Sequence, residues 1–315
     1  HHHSRHSFPT RRSSDLDDRL QVVCTIFPEY DWARQLTQGV DNVDLTLLVK
    51  NGTDLHSYQP SVRDIAMIAR ADVFCYVGGV SDTWVNDVLY TTENRTAQLV
   101  SMAEAADADE EVLAEGMQAE HEHEHEHEHD HHDDESDSHE EPPELDEHVW
   151  LSLRRAALAC TAMKEALCKA DPAHEDIYNQ NCTDYLQKLQ ELDSDFTEMT
   201  SQAARDTIVV ADRFPFRYLA EDYGLTYYAA FPGCSAETEA SFETIVFLSE
   251  KVESLHLPCV LVTEGSNSSL AKTILENAGS DGKILTLQSL QAVSQKEIDA
   301  GVSYLSKMQI GRAHV

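Results

Sequence analysis

The stretch LQVVCTIFPEYDWARQLTQGVDNVDLTLLV, residues 20–49, indicates the fold class of this chain. Residues 20–27 form an apolar run rich in β-branched side chains, which is typical of a buried parallel strand. Residues 29–39 place their apolar side chains on one helical face and end at a glycine. Residues 43–49 form a second apolar run. This strand, helix, strand order predicts an α/β fold with a mostly parallel sheet.

The same alternation continues to the C-terminal end. Further strands are predicted at 73–77, 97–101, 207–211, 226–231, 259–263 and 283–287, and helices at 62–70 (with Ser61 as its N-cap), 84–89, 148–169, 216–223, 241–254, 269–278 and 298–309. Between the two halves, residues 174–204 form an amphipathic run without glycine or proline, long enough as a helix to span ~45 Å. We predict two lobes, each with a mostly parallel four-stranded sheet flanked by helices, joined by a long rigid α-helix. Their predicted bounds are 17–170, 171–204 (the helix) and 205–309.

The two ends of the chain do not read as native sequence. Residues 6–16, HSFPTRRSSDL, match the translation of a common sequencing-library adapter, and residues 310–315, IGRAHV, match its partner. We therefore exclude residues 1–16 and 310–315 from the fold and expect the native termini to be missing, together with any signal peptide or lipid anchor.

The composition narrows the functional class. The formal charge is −34, which repels nucleic acid and anionic lipid and suits a cation-binding protein. No run of about 20 apolar residues predicts a membrane span. None of the seven cysteines forms a CxxC pair, so neither a thiolate zinc site nor a disulfide framework is indicated. We expect a monomer.

Residues 120–150 read EHEHEHEHEHDHHDDESDSHEEPPELDEHVW and cannot bury a core. Because imidazole and carboxylate are zinc ligands, we interpret 120–147 as a disordered loop that collects metal through many weak sites. A solvated acidic linker that binds nothing specific is the alternative. The auxiliary metal ligands predicted in this loop are His121, His123, His125, His127, His129, His131, His132 and His139.

Four other segments carry polar side chains after a strand or at a helix start. They present His56, His148, the pair Asp212 and Arg213, and Gln288. Ligands of α/β proteins lie at the carboxyl ends of strands, where these segments are expected. Two histidines with oxygen donors predict a site for zinc or manganese.

Four motifs resemble one known family. They are GTDLHSYQP at 52–60, DEHVWL at 146–151, YLAEDYGL at 218–225 and SAETEAS at 235–241. They are similar to the family patterns G-x-(D/E)-x-H-x-(Y/F)-x-P, D-P-H-x-W-L, Y-F-x-x-x-Y-G-L and S-P-E-x-E-P-S. The family is the zinc and manganese solute-binding proteins of ABC importers, the zinc-uptake-type group of cluster A-I. The resemblance covers nearly all of residues 20–309.

The resemblance implies two lobes with a metal ion in the cleft, and His56 and His148 match two of the family's ligands. The third ligand position falls on Arg213, which cannot coordinate a cation. Asp212, one residue earlier, is the substitute we predict, while Arg213 pairs with Asp212 or with a carboxylate of the permease. The fourth position falls on Gln288, and Glu264 is a reserve oxygen donor or a hydrogen-bonding carboxylate.

The resemblance also implies a role. The chain would be an extracytoplasmic component, a lipoprotein or periplasmic, that binds Zn²⁺ (alternatively Mn²⁺) without catalysis and delivers it to a membrane permease powered by a separate ATPase. A metalloenzyme is disfavoured because HExxH, GxSxG and phosphate-loop motifs are absent from the sequence. The alternative is a metal-storage protein that acts through its His-rich loop.

Overall fold

A computed structural model of the protein describes residues 19–50, 52–92, 96–117, 144–235 and 239–312. The first sheet contains β1 (Leu20–Cys24), β2 (Val43–Leu47), β3 (Val73–Tyr76) and β4 (Gln98–Ser101), in the order β2-β1-β3-β4. The second contains β5 (Thr207–Phe214), β6 (Thr226–Pro232), β7 (Cys259–Thr263) and β8 (Lys283–Leu287), in the order β6-β5-β7-β8. All neighbouring strands are parallel, which confirms the predicted fold class.

Helices flank both sheets. They are α1 (Phe27–Leu36), α2 (Val62–Ile68), α3 (Trp84–Thr92), α4 (Met102–Ala105), α5 (Leu153–Ala170), α6 (Glu175–Ser201), α7 (Arg217–Asp222), α8 (Phe242–Ser254), α9 (Ser269–Asn277), α10 (Gln295–Asp299) and α11 (Tyr304–Arg312). Across the described ranges, no helix combines the length and the apolar character that a bilayer crossing requires.

The long helix predicted over 174–204 is α6, whose 27 residues extend over ~40 Å. Its buried side chains recur every three or four positions and so lie along one face: Tyr178, Cys182, Tyr185, Leu189, Leu192 and Phe196. That face packs against α5 and α1 of the first lobe and against α11. One hydrophobic core runs from the first sheet through these helices to the second sheet, so the lobes share buried surface.

Helix ends differ from the sequence prediction for local reasons. Helix α1 begins at Phe27 because Pro28 fits the first helical turn, where its missing N–H costs nothing. Helix α5 begins only at Leu153, since the Ser152 hydroxyl accepts a hydrogen bond from the Arg155 N–H at 3.0 Å and caps it there. The predicted C-terminal helix is two helices, separated at Gly301, whose φ of 86° ends the first.

Candidate metal centre

His56 lies in a short 3₁₀ turn, Leu55–Ser57, in the loop that follows β2. Leu55 is fully buried and anchors the turn. Asp54 caps it, because its Oδ1 accepts the His56 backbone N–H at 3.0 Å. The imidazole Nδ1 lies 2.8 Å from the Ser81 Oγ, in the loop after β3. The ends of β2 and β3 therefore fix His56 at the carboxyl edge of the first sheet.

His148 directly precedes the buried 3₁₀ turn Val149–Leu151 and is itself fully buried. Asp146 holds it twice, since its Oδ1 lies 2.9 Å from the imidazole Nδ1 and accepts the His148 backbone N–H at 3.1 Å. A carboxylate on Nδ1 fixes the tautomer that leaves Nε2 as the metal-binding atom.

The two imidazoles form a pair with ring centroids 5.5 Å apart. Within the described residues, the Nε2 atoms of His56 and His148 are both buried and have no hydrogen-bond partner. Buried polar atoms in native proteins are nearly always paired, so two such nitrogens side by side indicate a missing partner. A metal ion fits that place, because a lone pair on each Nε2 can bind it.

Glu147 completes this group and was not predicted from the sequence. Its fully buried carboxylate lies 3.3 Å from the His56 Nδ1 and accepts the Ser81 N–H at 3.0 Å and the Ser81 hydroxyl. One ligand atom from each of His56, Glu147 and His148 lies within 4.8 Å of the others, close enough to hold a metal ion. The one hint in the sequence was the position of Glu147, which stands where the family motif D-P-H has proline. Each imidazole thus has a carboxylate at Nδ1 and a buried, unpaired Nε2.

Burial and charge set the protonation of this group. Burial and the neighbouring His148 lower the pKa of His56 to about 4, so this imidazole is neutral at pH 7. Burial also acts to lower the pKa of His148, but the hydrogen bond and charge of Asp146 outweigh it and raise that pKa above its usual value. Burial raises the pKa of the Glu147 carboxyl.

The predicted donors of the second lobe lie elsewhere in the cleft. Asp212 uses both oxygens, accepting the Arg213 N–H at 2.8 Å and the Thr263 hydroxyl at 2.7 Å. Glu264 accepts the Ser289 N–H at 2.8 Å and hydroxyl at 2.6 Å, the hydrogen-bonding role considered for it. The grouping found among the described residues includes neither carboxylate, so their ligation stays a prediction.

The Arg213 side chain forms its ion pair with a carboxylate of the first lobe and not with the carboxylate of Asp212. Its NH2 lies 2.9 Å from the Asp54 Oδ2, so the guanidinium pairs with the carboxylate that caps the His56 turn. Gln288 lines the same cleft, and its Oε1 lies 3.4 Å from the Lys307 Nζ. The cleft between the lobes has a volume of about 900 Å³. The eight loop histidines predicted as auxiliary ligands lie outside the described residues.

Comparisons with known proteins identify the family of this chain. The family model described as "Zinc-uptake complex component A periplasmic", ZnuA, matches residues 22–310. The chain belongs to this family. ZnuA-type proteins are solute-binding proteins and not enzymes, as the sequence predicted, and the family is periplasmic or extracellular.

The names of several relatives describe zinc binding or zinc uptake. The chain is 32% identical over 299 residues to the zinc-binding protein AdcA of Streptococcus pyogenes, covering 93% of this chain and 55% of that protein. It thus spans about half the length of the first curated relatives it matches. It is 31% identical to the high-affinity zinc uptake system protein ZnuA of Bacillus subtilis, covering 95% of this chain and 88% of that one. The Zn(II)-bound ZnuA-like domain of Streptococcus pneumoniae AdcA superposes with a TM-score of 0.69 at 28% identity, covering 93% and 96% of the two chains.

Proposed function

We propose that this protein captures Zn²⁺ in the cleft between its lobes and delivers it to the membrane permease of an ABC importer, which a cytoplasmic ATPase powers. The observation that carries the proposal is the pair of buried, unpartnered Nε2 atoms of His56 and His148. Nitrogen ligands with an adjacent carboxylate suit zinc better than manganese, which prefers oxygen. Relatives named zinc-binding lipoproteins support an anchored, extracytoplasmic location.

The roles of the individual residues at the site are also proposals. His56 and His148 bind the ion, while Asp146 and Glu147 orient the two imidazoles from their Nδ1 sides. Asp212 and Gln288 remain candidate donors, to be reached by side-chain movements within the cleft. The helix α6 is a rigid connector, so that only small movements accompany binding.

Calorimetric titration with zinc, with manganese as competitor, tests this function. We expect one tight zinc site that His56→Ala removes. His174→Ala is the matched control, because His174 also pairs through Nδ1 with an aspartate, Asp171 at 2.7 Å, away from the cleft. Several equivalent weak sites that ignore His56→Ala would instead support metal storage by the His-rich segment.

A further inference from the structure

The cleft is much larger than a metal ion requires. Its volume of about 900 Å³ lies within the range of roughly 300–1,000 Å³ that is typical of small-molecule sites. Both lobes line it, with Asp54 and His56 on one side and Arg213, Asn267, Gln288 and Lys307 on the other. A single cation bound at the two imidazoles would leave most of this space free.

The metal coordination is also incomplete in the described chain. Zinc takes four ligands in most protein sites. His56 and His148 supply two, and Glu147 supplies at most one more. The carboxylates of Asp212 and Glu264 are occupied by hydrogen bonds within the second lobe. The grouping found among the described residues therefore leaves at least one coordination position open, and His56 borders the cleft from which a further ligand could enter.

A cationic side chain, Arg213, lines the cleft together with His56. Arg213 pairs in register with Phe231 of β6. Two residues further, Gly233 comes so near His148 that a Cβ there would lie 2.9 Å from the imidazole Cε1. On its other side Arg213 meets Asp54, whose second oxygen binds the His56 backbone. The guanidinium thus contacts the residue that caps the His56 turn, while the strand beside its backbone leads to the glycine that approaches His148.

Arginine repels a metal ion but binds carboxylates well through its planar fork of N–H donors. Its partner Asp54 is 38% exposed, and an ion pair as open as this one exchanges readily with a carboxylate from solution.

We propose that the cleft binds zinc together with a small organic carboxylate, such as a hydroxy acid or an amino acid. One carboxylate oxygen fills the open metal position and the other accepts hydrogen bonds from Arg213. The body of the molecule occupies the cleft near Gln288 and Lys307. This inference rests on the proposed zinc site and gives the arginine at the third ligand position a role.

Cobalt(II) substitution tests the inference, because its visible d–d bands report coordination. The protein is held in excess over Co²⁺ in a non-coordinating buffer and titrated with acetate and then with 4-hydroxybutyrate, a longer monocarboxylate whose hydroxyl is too distant to chelate the metal well. We expect saturable band changes with both, and half-saturation by 4-hydroxybutyrate at a concentration about tenfold lower, because only the longer molecule reaches the cleft beyond the metal. Equal half-saturation by the two would overturn the part of the proposal that places a larger molecule in the cleft.

Two variants distinguish a specific role of Arg213 in carboxylate binding from the general effect of a positive charge in the cleft. Arg213→Gln should raise the acetate concentration at half-saturation about tenfold, whereas Lys307→Gln, which removes the same charge from the same cleft, should change it less than about threefold. Asp54→Asn should lower it, since Arg213 then loses its competing carboxylate. Circular dichroism and acetate-free metal binding check the folding of each variant.

The outcomes distinguish this inference from the proposed function. Cobalt bands that do not respond to acetate, or that respond equally in the Arg213→Gln and Lys307→Gln variants, would overturn the carboxylate site and leave the metal site intact. A protein that binds no Co²⁺ or Zn²⁺ in the absence of acetate would overturn the proposed function itself.

Discussion

At the scale of single residues, the orientation of the imidazoles matters as much as their presence. His148 is fixed by two contacts to Asp146, at 2.9 and 3.1 Å, and a fixed ring loses no rotational freedom when the metal binds. The hydrogen bond also decides which nitrogen faces the ion.

Asp146→Asn should weaken zinc binding by about 10–100-fold, because an amide neither raises the basicity of His148 nor fixes its tautomer equally well. Calorimetry of the purified variant measures the change. Asp171→Asn is the control, since Asp171 makes the same contact with His174 at 2.7 Å outside the cleft. Equal affinities of the Asp146→Asn and wild-type proteins would show that this hydrogen bond has no part in zinc binding.

Glu147→Gln should also weaken zinc binding by about 10–100-fold, because it removes a buried negative charge beside both imidazoles. Glu264→Gln makes the same change in a carboxylate that lines the cleft and binds Ser289, and it should alter the affinity less than about threefold. Competition with a zinc-sensitive dye ranks the variants. A larger loss from Glu264→Gln would show that the second lobe contributes more to zinc binding than Glu147 does.

Zinc affinity should fall steeply between pH 7 and pH 5. Metal binding requires a neutral imidazole, and the pKa of His148 is raised, so protons compete for this residue at and above pH 6.5. His56 contributes to the loss only near pH 4, because burial holds its pKa there. The zinc affinity is therefore highest at pH values above the raised pKa of His148 and declines as the pH falls through that pKa. Calorimetry at several pH values measures this, and a constant affinity from pH 7 to pH 5 would refute histidine ligation.

At the scale of elements, the segments before and after the His-rich run are held together. Glu110 and Leu145 form an antiparallel bridge, the Glu111 N–H donates to the Glu144 carbonyl at 2.8 Å, and the Asp146 N–H donates to the Asp109 carbonyl at 2.9 Å. The main chain therefore closes at this point on the first lobe, two residues before His148.

Deleting residues 120–141 should leave the tight zinc site within about threefold of its original affinity and remove the weak ions. The reason is that the contacts of His148 come from Asp146 and from the described residues around it, not from the deleted segment. Zinc stoichiometry and affinity by calorimetry give the answer. Loss of the tight site would place it in the His-rich run and support the storage function.

At the scale of the whole molecule, the lobes are tied to each other close to the site. The Trp150 Nε1 donates to the Ser289 carbonyl at 2.8 Å, and the Tyr218 hydroxyl donates to the Asp146 carbonyl at 2.7 Å. The second lobe thus supports the backbone that carries His148. Together with the shared core, these ties limit how far the lobes can separate.

Much of this architecture could be predicted from the sequence, because strand and helix patterns are local. The apolar run at β1 and the uninterrupted amphipathic pattern of α6 each determine their element almost alone. The site depends on contacts between distant residues, which local patterns do not contain. His56 and His148 were indicated by motifs, but the contact of Glu147 with His56 spans 91 residues, from position 56 to position 147. The pairing of Arg213 with Asp54 across the cleft likewise has no local signal.

In the proposed function, zinc binds at the Nε2 atoms of His56 and His148. Diffraction from crystals loaded with one equivalent of zinc, recorded at the zinc absorption edge, locates the ion directly. We predict a single strong anomalous peak ~2.0–2.1 Å from both nitrogens. A peak at Asp212 or Glu264 instead, or zinc found only on the His-rich run, would contradict the account.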